Sequence, residues 1–355
     1  MTLFDKIKEI TELQAGSGFE APVRNYLKEK MLKLGYTPEF DGLGSIFVVK
    51  ESKTPNAPRV MIAAHMDEVG FMVSSIKPDG TFRVVTLGGW NPLVVSAQRF
   101  TLFTQKGNKI PVVTGGLPPH LLRGTGATPS IPAISDIIFD AGFTDKAEAE
   151  NYGIAIGDVI IPETETILTA NGKNVMSKAW DNRYGCLMVL ELLEFLQDKE
   201  LPVTLIIGAN VQEEVGLRGA KVSTTKFNPD LFFAVDCSPA SDTFGDDNGK
   251  LGAGVTMRYY DPGHIMLPGM KQFLIETAKE NNIKTQAYMA KGGTDAGAAH
   301  LSNEGIPSTT IGVCARYIHS HQTISSLDDF VQAQNFIRAI ATSLNAEKVA
   351  DIKNY

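Results

Sequence analysis

The chain has 355 residues, of which 43% are hydrophobic and 21% charged, with 33 Lys and Arg against 40 Asp and Glu and a formal net charge of −7. That length accommodates two domains, or one large domain carrying an insertion, and the composition is that of a globular enzyme. A net negative chain without basic runs excludes nucleic acid and anionic membranes as main partners, and no run of about 18 apolar residues is available to cross a bilayer.

The N-terminus carries charges at Asp5, Lys6, Lys8 and Glu9, which leaves no signal-peptide core. Leu3, Ile7, Ile10 and Leu13 form the apolar face of a first helix. Ser17 and Glu20 have capping-box spacing for a second helix, which carries Val23, Tyr26, Leu27, Met31 and Leu34 and is ended by Gly35. A buried strand over 60–64 ends at His65.

From about residue 69 to 161 the texture changes. Short β-rich runs at 71–76, 82–86, 99–103 and 110–113 alternate with Gly, Pro and Asn turns, and the one helical stretch is short, near 145–152. This pattern predicts a small barrel or sandwich inserted between 1–68 and 162–355. Beyond it, helical and strand patterns alternate. After Asp181, Cys186, Val189, Leu190, Leu193 and Leu196 share a helical face, with Glu191, Glu194 and Asp198 off it. Strands are expected at 203–211, 231–235 and 309–313, and a final helix at about 329–344. Alternating helices and apolar strands predict a layered α/β domain. Cys186, Cys237 and Cys314 lie in apolar stretches without C-x-x-C spacing, as expected of reduced core thiols in the cytoplasm.

Five segments carry metal-binding residue types where a strand ends or a helix begins. They are His65-Met66-Asp67-Glu68, Asp181-Asn182, Gln212-Glu213-Glu214, Asp236 and His319-Ser320-His321. In open α/β sheets the loops beyond the carboxyl ends of the strands form the ligand crevice, and four of the five segments directly follow a strand-like run. Singly, each is an ordinary turn residue or solvated carboxylate. Together they form a His and carboxylate set without Cys, which suits Zn²⁺, Co²⁺ or Mn²⁺. Asp67 lies two residues past His65, on the same side of an extended chain, where it can orient the imidazole.

The stretches Ala64-His65-Met66-Asp67-Glu68-Val69-Gly70, Trp180-Asp181-Asn182-Arg183, Gln212-Glu213-Glu214-Val215-Gly216, Tyr317-Ile318-His319-Ser320 and Gly292-Gly293-Thr294-Asp295-Ala296 resemble the glutamyl aminopeptidases of the dinuclear, tetrahedral metallo-aminopeptidase family. The resemblance implies a mixed-sheet catalytic domain of the zinc-peptidase type with an inserted, PDZ-like β-barrel for dimerisation. It also implies two divalent ions, zinc or cobalt, with His65 and Asp236 on one, Glu214 and His319 on the other, and Asp181 bridging both. Glu213 matches the general base, with Asp67 beside it in the catalytic machinery. Two such ions about 3.5–4 Å apart polarise a carbonyl and lower the pKa of a bridging water. His321 competes with His319 as a ligand; His120, His264 and His300 are expected to be structural.

Release of N-terminal Glu or Asp from peptides requires a cation in the first side-chain pocket. Lys291 and Arg258 are the candidates, with Asp295 grouped among the substrate-binding residues. The resemblance implies a homododecamer with tetrahedral symmetry. A broader, Leu-type aminopeptidase or a deacylase is the alternative on the same site. A glycoside hydrolase needs two carboxylates facing each other about 5–10 Å apart. Adjacent Glu213 and Glu214 do not provide that alone, and the histidines would have no role. A non-catalytic scaffold leaves the whole ligand set unexplained.

Overall fold

The computed structural model describes residues 1–123, 130–246 and 248–354. Its centre is four parallel strands in the order Thr204–Asn210, Arg59–His65, Leu231–Pro239 and Ser308–Arg316. Each is buried over nearly its whole length, as parallel strands covered on both faces must be, and each reads as a continuous apolar run. Antiparallel partners extend the sheet on both sides: Ile46–Lys50 beside Thr204–Asn210, and Val255–Asp261 beside Ser308–Arg316. The result is a twelve-stranded mixed sheet.

Side-chain alternation divides the core into two layers. Val60, Ile62 and Ala64 pack with Leu205, Phe233 and the helices Leu3–Thr11, Ala21–Lys33, Trp180–Phe195 and Leu327–Ser343. Met61 and Ala63 point the other way, into a smaller cluster with Phe227, Ala296 and Ala299. The helix Trp180–Phe195 differs from its expected amphipathic form. It is buried almost all round, and Glu191, off the expected apolar face, is 9% exposed and accepts from Lys6 Nζ (2.5 Å) and Gln334 Nε2 (2.9 Å). A last helix, Ala346–Lys353, follows the one expected to be final.

The expected capping box does not form. The helix Ala21–Lys33 has Glu20 at its N-cap without a side-chain cap, and begins instead with a proline, Pro22, in its first turn. Ser17 and Glu20 turn inward toward the loops at the sheet's carboxyl edge. Gly35 does end this helix, at φ +84°, with Tyr36 N–H donating to Met31 O.

Between Arg59–His65 and the later sheet strands, six antiparallel strands close into a barrel, which decides between the barrel and the sandwich. Their order is Gly70–Ile76, Phe82–Leu87, Ile138–Asp140, Lys109–Gly115, Arg99–Phe103 and Val159–Pro162. Alternate residues fill it: Phe71, Val73, Phe82, Phe100, Leu102 and Phe139 are all buried, with the Phe71 ring meeting those of Phe100 and Phe139. The barrel does not hang free. Gly16 bridges to Glu68, and a Cβ on Gly16 would sit 2.6 Å from Ile161 Cδ1, so the N-terminal segment and the barrel root are in close contact.

Candidate metal centre and substrate cavity

The parallel strands bring their carboxyl ends to one edge, and the five segments meet there. His65 is the last residue of its strand, and Glu213 and Glu214 follow the strand Thr204–Asn210. Asp181 stands in the first turn of its helix, joined to Asn182 by a cis peptide bond. His319 lies past the strand Ser308–Arg316. Asp236 departs from expectation: it lies inside the strand Leu231–Pro239, which continues beyond it. Five non-glycine residues in this region have left-handed backbone, namely Ala179, Gln212, Leu217, Tyr317 and His319, with φ between 50° and 61°. Such conformations cost of order 1–3 kcal/mol each and collect where function holds the chain in place.

Two groups of three ligand-type atoms result, each within 4.8 Å: His65, Glu213 and Asp236, and Asp181, Glu214 and His319. Asp181 connects them. Its Oδ1 is 3.2 Å from His65 Nε2 and its Oδ2 is 3.5 Å from His319 Nε2. His65 Nε2 also faces Asp236 Oδ1 at 3.6 Å and Glu213 Oε2 at 3.9 Å, while His319 Nε2 faces Glu214 Oε2 at 3.4 Å.

The other nitrogen of each ring fixes its tautomer. His65 Nδ1–H donates to Asp67 O (3.1 Å) and His319 Nδ1–H to Gly89 O (2.8 Å), so in the neutral, cation-binding form of each ring the Nε2 lone pair points into the cluster. Gly89 comes from the barrel side, and its neighbour Gly88 (φ +86°) has room for no side chain: a Cβ there would lie 2.7 Å from Val69 Cγ1 and 3.1 Å from Glu214 Oε2.

Asp67 is fully buried behind His65. Its Oδ1 accepts from Glu213 N–H (3.0 Å) and lies 3.5 Å from His65 Nδ1; its Oδ2 accepts from Ser17 Oγ (2.7 Å) and Glu214 N–H (3.1 Å). His321 is committed elsewhere: its Nε2–H donates to Arg99 O (3.0 Å) and its ring packs edge-on against Phe100. His264 is buried with Nδ1 2.9 Å from Asp261 Oδ2, His300 lies 6.3 Å from it ring to ring, and His120 is exposed on the helix Pro119–Leu122.

The electrostatics describe a site short of positive charge. Burial, reinforced by Asp236 and Glu214, pushes the Glu213 carboxyl well above its ordinary range; burial, reinforced by Asp181, pushes Glu214 up to about 8 and raises Asp236. Burial disfavours charge on the imidazoles, yet Glu213 and Asp181 hold His65 well above 6.5, and Glu214 and Asp181 lift His319 to about 10. Glu214 Oε1 is buried with no hydrogen-bond partner. Asp181, Glu213, Glu214 and Asp236 carry four negative charges when ionised, which two divalent cations would balance, and carboxylate oxygens with neutral imidazole nitrogens are donors that such cations take. The residues fit the metal pair.

A cavity of about 680 Å³ opens over this cluster, lined by Asp181, Glu213, Glu214, Asp236 and His319 and, to one side, by Arg258, Tyr288 and Lys291. Arg258 is 2% exposed: its Nη2 donates to Ser238 Oγ (2.9 Å) and Cys237 O (3.3 Å), and its Nη1 lies 3.5 Å from Asp261 Oδ2. Lys291 is exposed at the rim. Asp295 departs from the substrate-binding expectation. It is 2% exposed and absent from the cavity wall; its Oδ2 accepts from Asn210 Nδ2 (2.9 Å), and burial raises its carboxyl to about 7. As the first residue of the helix Asp295–His300 it is drawn beneath the site, behind the Gly292-Gly293 turn that does line the cavity. Reasoning from sequence missed Gly89, whose signal was only a Gly-Gly pair in a loop, and Ser17, whose spacing to Glu20 suggested a helix cap.

Comparison with known proteins bears on the same residues. The glutamyl aminopeptidase of Lactococcus lactis subsp. cremoris (strain MG1363) is 80% identical over 355 residues, spanning 100% of both chains. The TET aminopeptidase of the marine sediment archaeon Thaumarchaeota archaeon SCGC AB-539-E09 has the same fold at a TM-score of 0.92 and 34% identity, covering 98% of each chain. The TET1 peptidase of Pyrococcus horikoshii, described as able to assemble into a tetrahedron or a large octahedral shell, matches at a TM-score of 0.87 and 27% identity, over 97% of this chain and 100% of its own. The M42 glutamyl aminopeptidase family model matches residues 44–336, a span that takes in the four parallel strands, the barrel, and Asp181 together with His65, Asp67, Glu213, Glu214, Asp236 and His319. The chain thus belongs to the M42 glutamyl aminopeptidase family and is a metal-dependent aminopeptidase.

Proposed function

We propose that this aminopeptidase releases N-terminal Glu and Asp from peptides. The observation that carries the reading is a cavity whose floor holds five of the six residues of the His and carboxylate cluster, with His65 just beneath, and whose wall holds a buried arginine. His65 and Asp236 would hold one divalent ion and Glu214 and His319 the second, with Asp181 shared between them; zinc and cobalt suit these donors. When bound, the ions polarise the scissile carbonyl and make water a stronger acid.

Glu213 is the proton carrier. It stands among the ligands, and its amide is fixed on Asp67. Burial and neighbouring carboxylates make its carboxylate a strong base, suited to taking a proton from the attacking water and returning it to the leaving amine. Asp67 holds the His65 ring and the Glu213-Glu214 backbone in place. Arg258 receives the substrate's acidic side chain, with Lys291 adding charge at the rim.

Residues 69–161 form the assembly module, inserted between catalytic segments 1–68 and 162–355. Val85, Leu93, Val113, Leu117, Leu121 and Ile131 are each at least 49% exposed on it, an apolar surface that a neighbouring subunit would cover. A tetrahedral dodecamer with enclosed active sites is the assembly we assign, in the cytoplasm, where the buried Cys186, Cys237 and Cys314 stay reduced.

The test is release of the first residue from Glu-, Asp-, Leu- and Lys-initiated peptides, with and without a chelator. Chelator-sensitive turnover fastest on Glu and Asp supports the reading. Fastest turnover on Leu would point to the broader Leu-type enzyme. Turnover of N-acylated but not free peptides would make it a deacylase.

A further inference from the structure

We propose that Ser17 and Glu20 are positioning residues for the catalytic turn Gln212-Glu213-Glu214, joined in one N-terminal strap. The three consecutive backbone amides of that turn all end on buried carboxylates. Gln212 N–H donates to Glu20 Oε1 (3.1 Å), Glu213 N–H to Asp67 Oδ1 (3.0 Å) and Glu214 N–H to Asp67 Oδ2 (3.1 Å). Asp67 is held in turn by Ser17 Oγ at 2.7 Å, the one hydroxyl that donates to it among the described residues. Ser17 and Glu20 thus act on the same turn from two sides, the first through Asp67 and the second directly. Both are buried, at 5% and 3% exposure.

The strap is itself anchored. Ala15 N–H donates to Glu68 Oε1 (3.1 Å), Glu68 N–H returns to Ala15 O (3.0 Å), and Glu20 Oε1 also accepts from Gly18 N–H (2.7 Å). The turn needs such holding, because Gln212 has φ +54°, a conformation that a side-chain-bearing residue does not keep unaided. Removing the Ser17 hydrogen bond loosens a carboxylate that orients His65, Glu213 and Glu214 together. Groups that orient ligands in this way typically govern metal affinity and activity by about 10- to 100-fold. The strap precedes residues 44–336, the part of the chain matched by the family model.

The inference rests on the roles proposed for Glu213 and Glu214. Its test uses the full chain and the isosteric pair Ser17→Thr and Ser17→Val, which add the same methyl volume and differ in the hydroxyl. Zn²⁺ affinity is measured by competition with a chromophoric chelator, and turnover on a Glu-initiated chromogenic amide. The expected result for Ser17→Val is a fall of about 10- to 100-fold in Zn²⁺ affinity and in kcat, with KM unchanged, while Ser17→Thr keeps both. In an Asp67→Asn background, Ser17→Val should add no further loss of Zn²⁺ affinity, because both act through one contact. Equal behaviour of Thr and Val, or a loss that adds fully to that of Asp67→Asn, overturns the proposal. Zn²⁺ stoichiometry of Asp181→Asn keeps the two readings separate: two tightly held ions in that variant sink the ligand assignment, whereas a metal-depleted Asp181→Asn beside an unaffected Ser17→Val sinks only the strap.

Discussion

Replacing Arg258 by Met should change which peptides the enzyme cleaves more than whether it folds. The guanidinium is 2% exposed and its Nε is buried without a hydrogen-bond partner, so a substrate carboxylate reaching it, as proposed, would meet it in a desolvated wall. A charge-assisted hydrogen bond there contributes about 1.5–3 kcal/mol, equivalent to about ten- to hundredfold in kcat/KM for Glu over Leu. The partner left behind is provided for: Asp261 Oδ1 keeps the Gly263 and His264 amides at 2.7 and 2.9 Å, and His264 Nδ1 stays 2.9 Å from its Oδ2. Met also refills much of the volume. Lys291, exposed at the rim, is screened by water, and Lys291→Ala should cost less than about fivefold on the same substrates. The assay compares kcat/KM for Glu-, Asp-, Leu- and Lys-initiated peptides at fixed ionic strength, with thermal unfolding of each variant as a control. An Arg258→Met enzyme that lost activity equally on Glu and Leu would refute the reasoning, as would a larger acidic-specific loss from Lys291→Ala.

Asp181→Asn should deplete both ions together, since one carboxylate faces His65 and His319 at once; elemental analysis of the purified variant checks this. Glu213→Gln should lower turnover by about a hundredfold or more while metal content stays at that of the parent. Loss of one ion per chain would make Glu213 a ligand, as its grouping with His65 and Asp236 allows. Glu68→Gln should destabilise the fold by about 3–5 kcal/mol, measured by denaturant unfolding, because Lys178 Nζ (2.7 and 2.8 Å) and Arg183 Nη2 (3.0 Å) both depend on that buried carboxylate. Light scattering should give a mass near twelve chains, and a stable monomer at micromolar concentration would refute the assembly.

The sequence carried most of the fold because the buried parallel strands are unbroken apolar runs, and the insert announced itself by short strands at turn-rich spacing. It also brought together the residues that converge, since His65, Glu213 and His319 sit at or beyond strand ends, where an α/β sheet gathers its loops. Asp236 was harder to place: the strand Leu231–Pro239 outlasts its apolar run, so a strand interior looked like a strand end. Ser17 and Glu20 satisfied a local rule, yet their side chains found better partners in Asp67 and the Gln212 amide, a long-range choice that no three-residue spacing reveals. Glu191 lies off the apolar face that helical periodicity reveals, and that periodicity does not show that Lys6 and Gln334 cover it there. Asp295 shared a motif with cavity-lining glycines, but the first turn of its helix directs it beneath them.

The Gly89 carbonyl has a consequence for how this enzyme can be altered. It belongs to the barrel side of the molecule, yet it decides which nitrogen of His319 carries the proton. The Arg99 carbonyl does the same for His321 from an adjacent barrel strand, and Trp90 ties the loop down through its Nε1–H to Gly70 O and its stacking on Phe71. The barrel is therefore not a detachable accessory. Excising it and closing the gap would leave every proposed ligand in the chain but would free one imidazole to rotate, and a change in how the barrel sits would be felt at His319 before it reached any substrate.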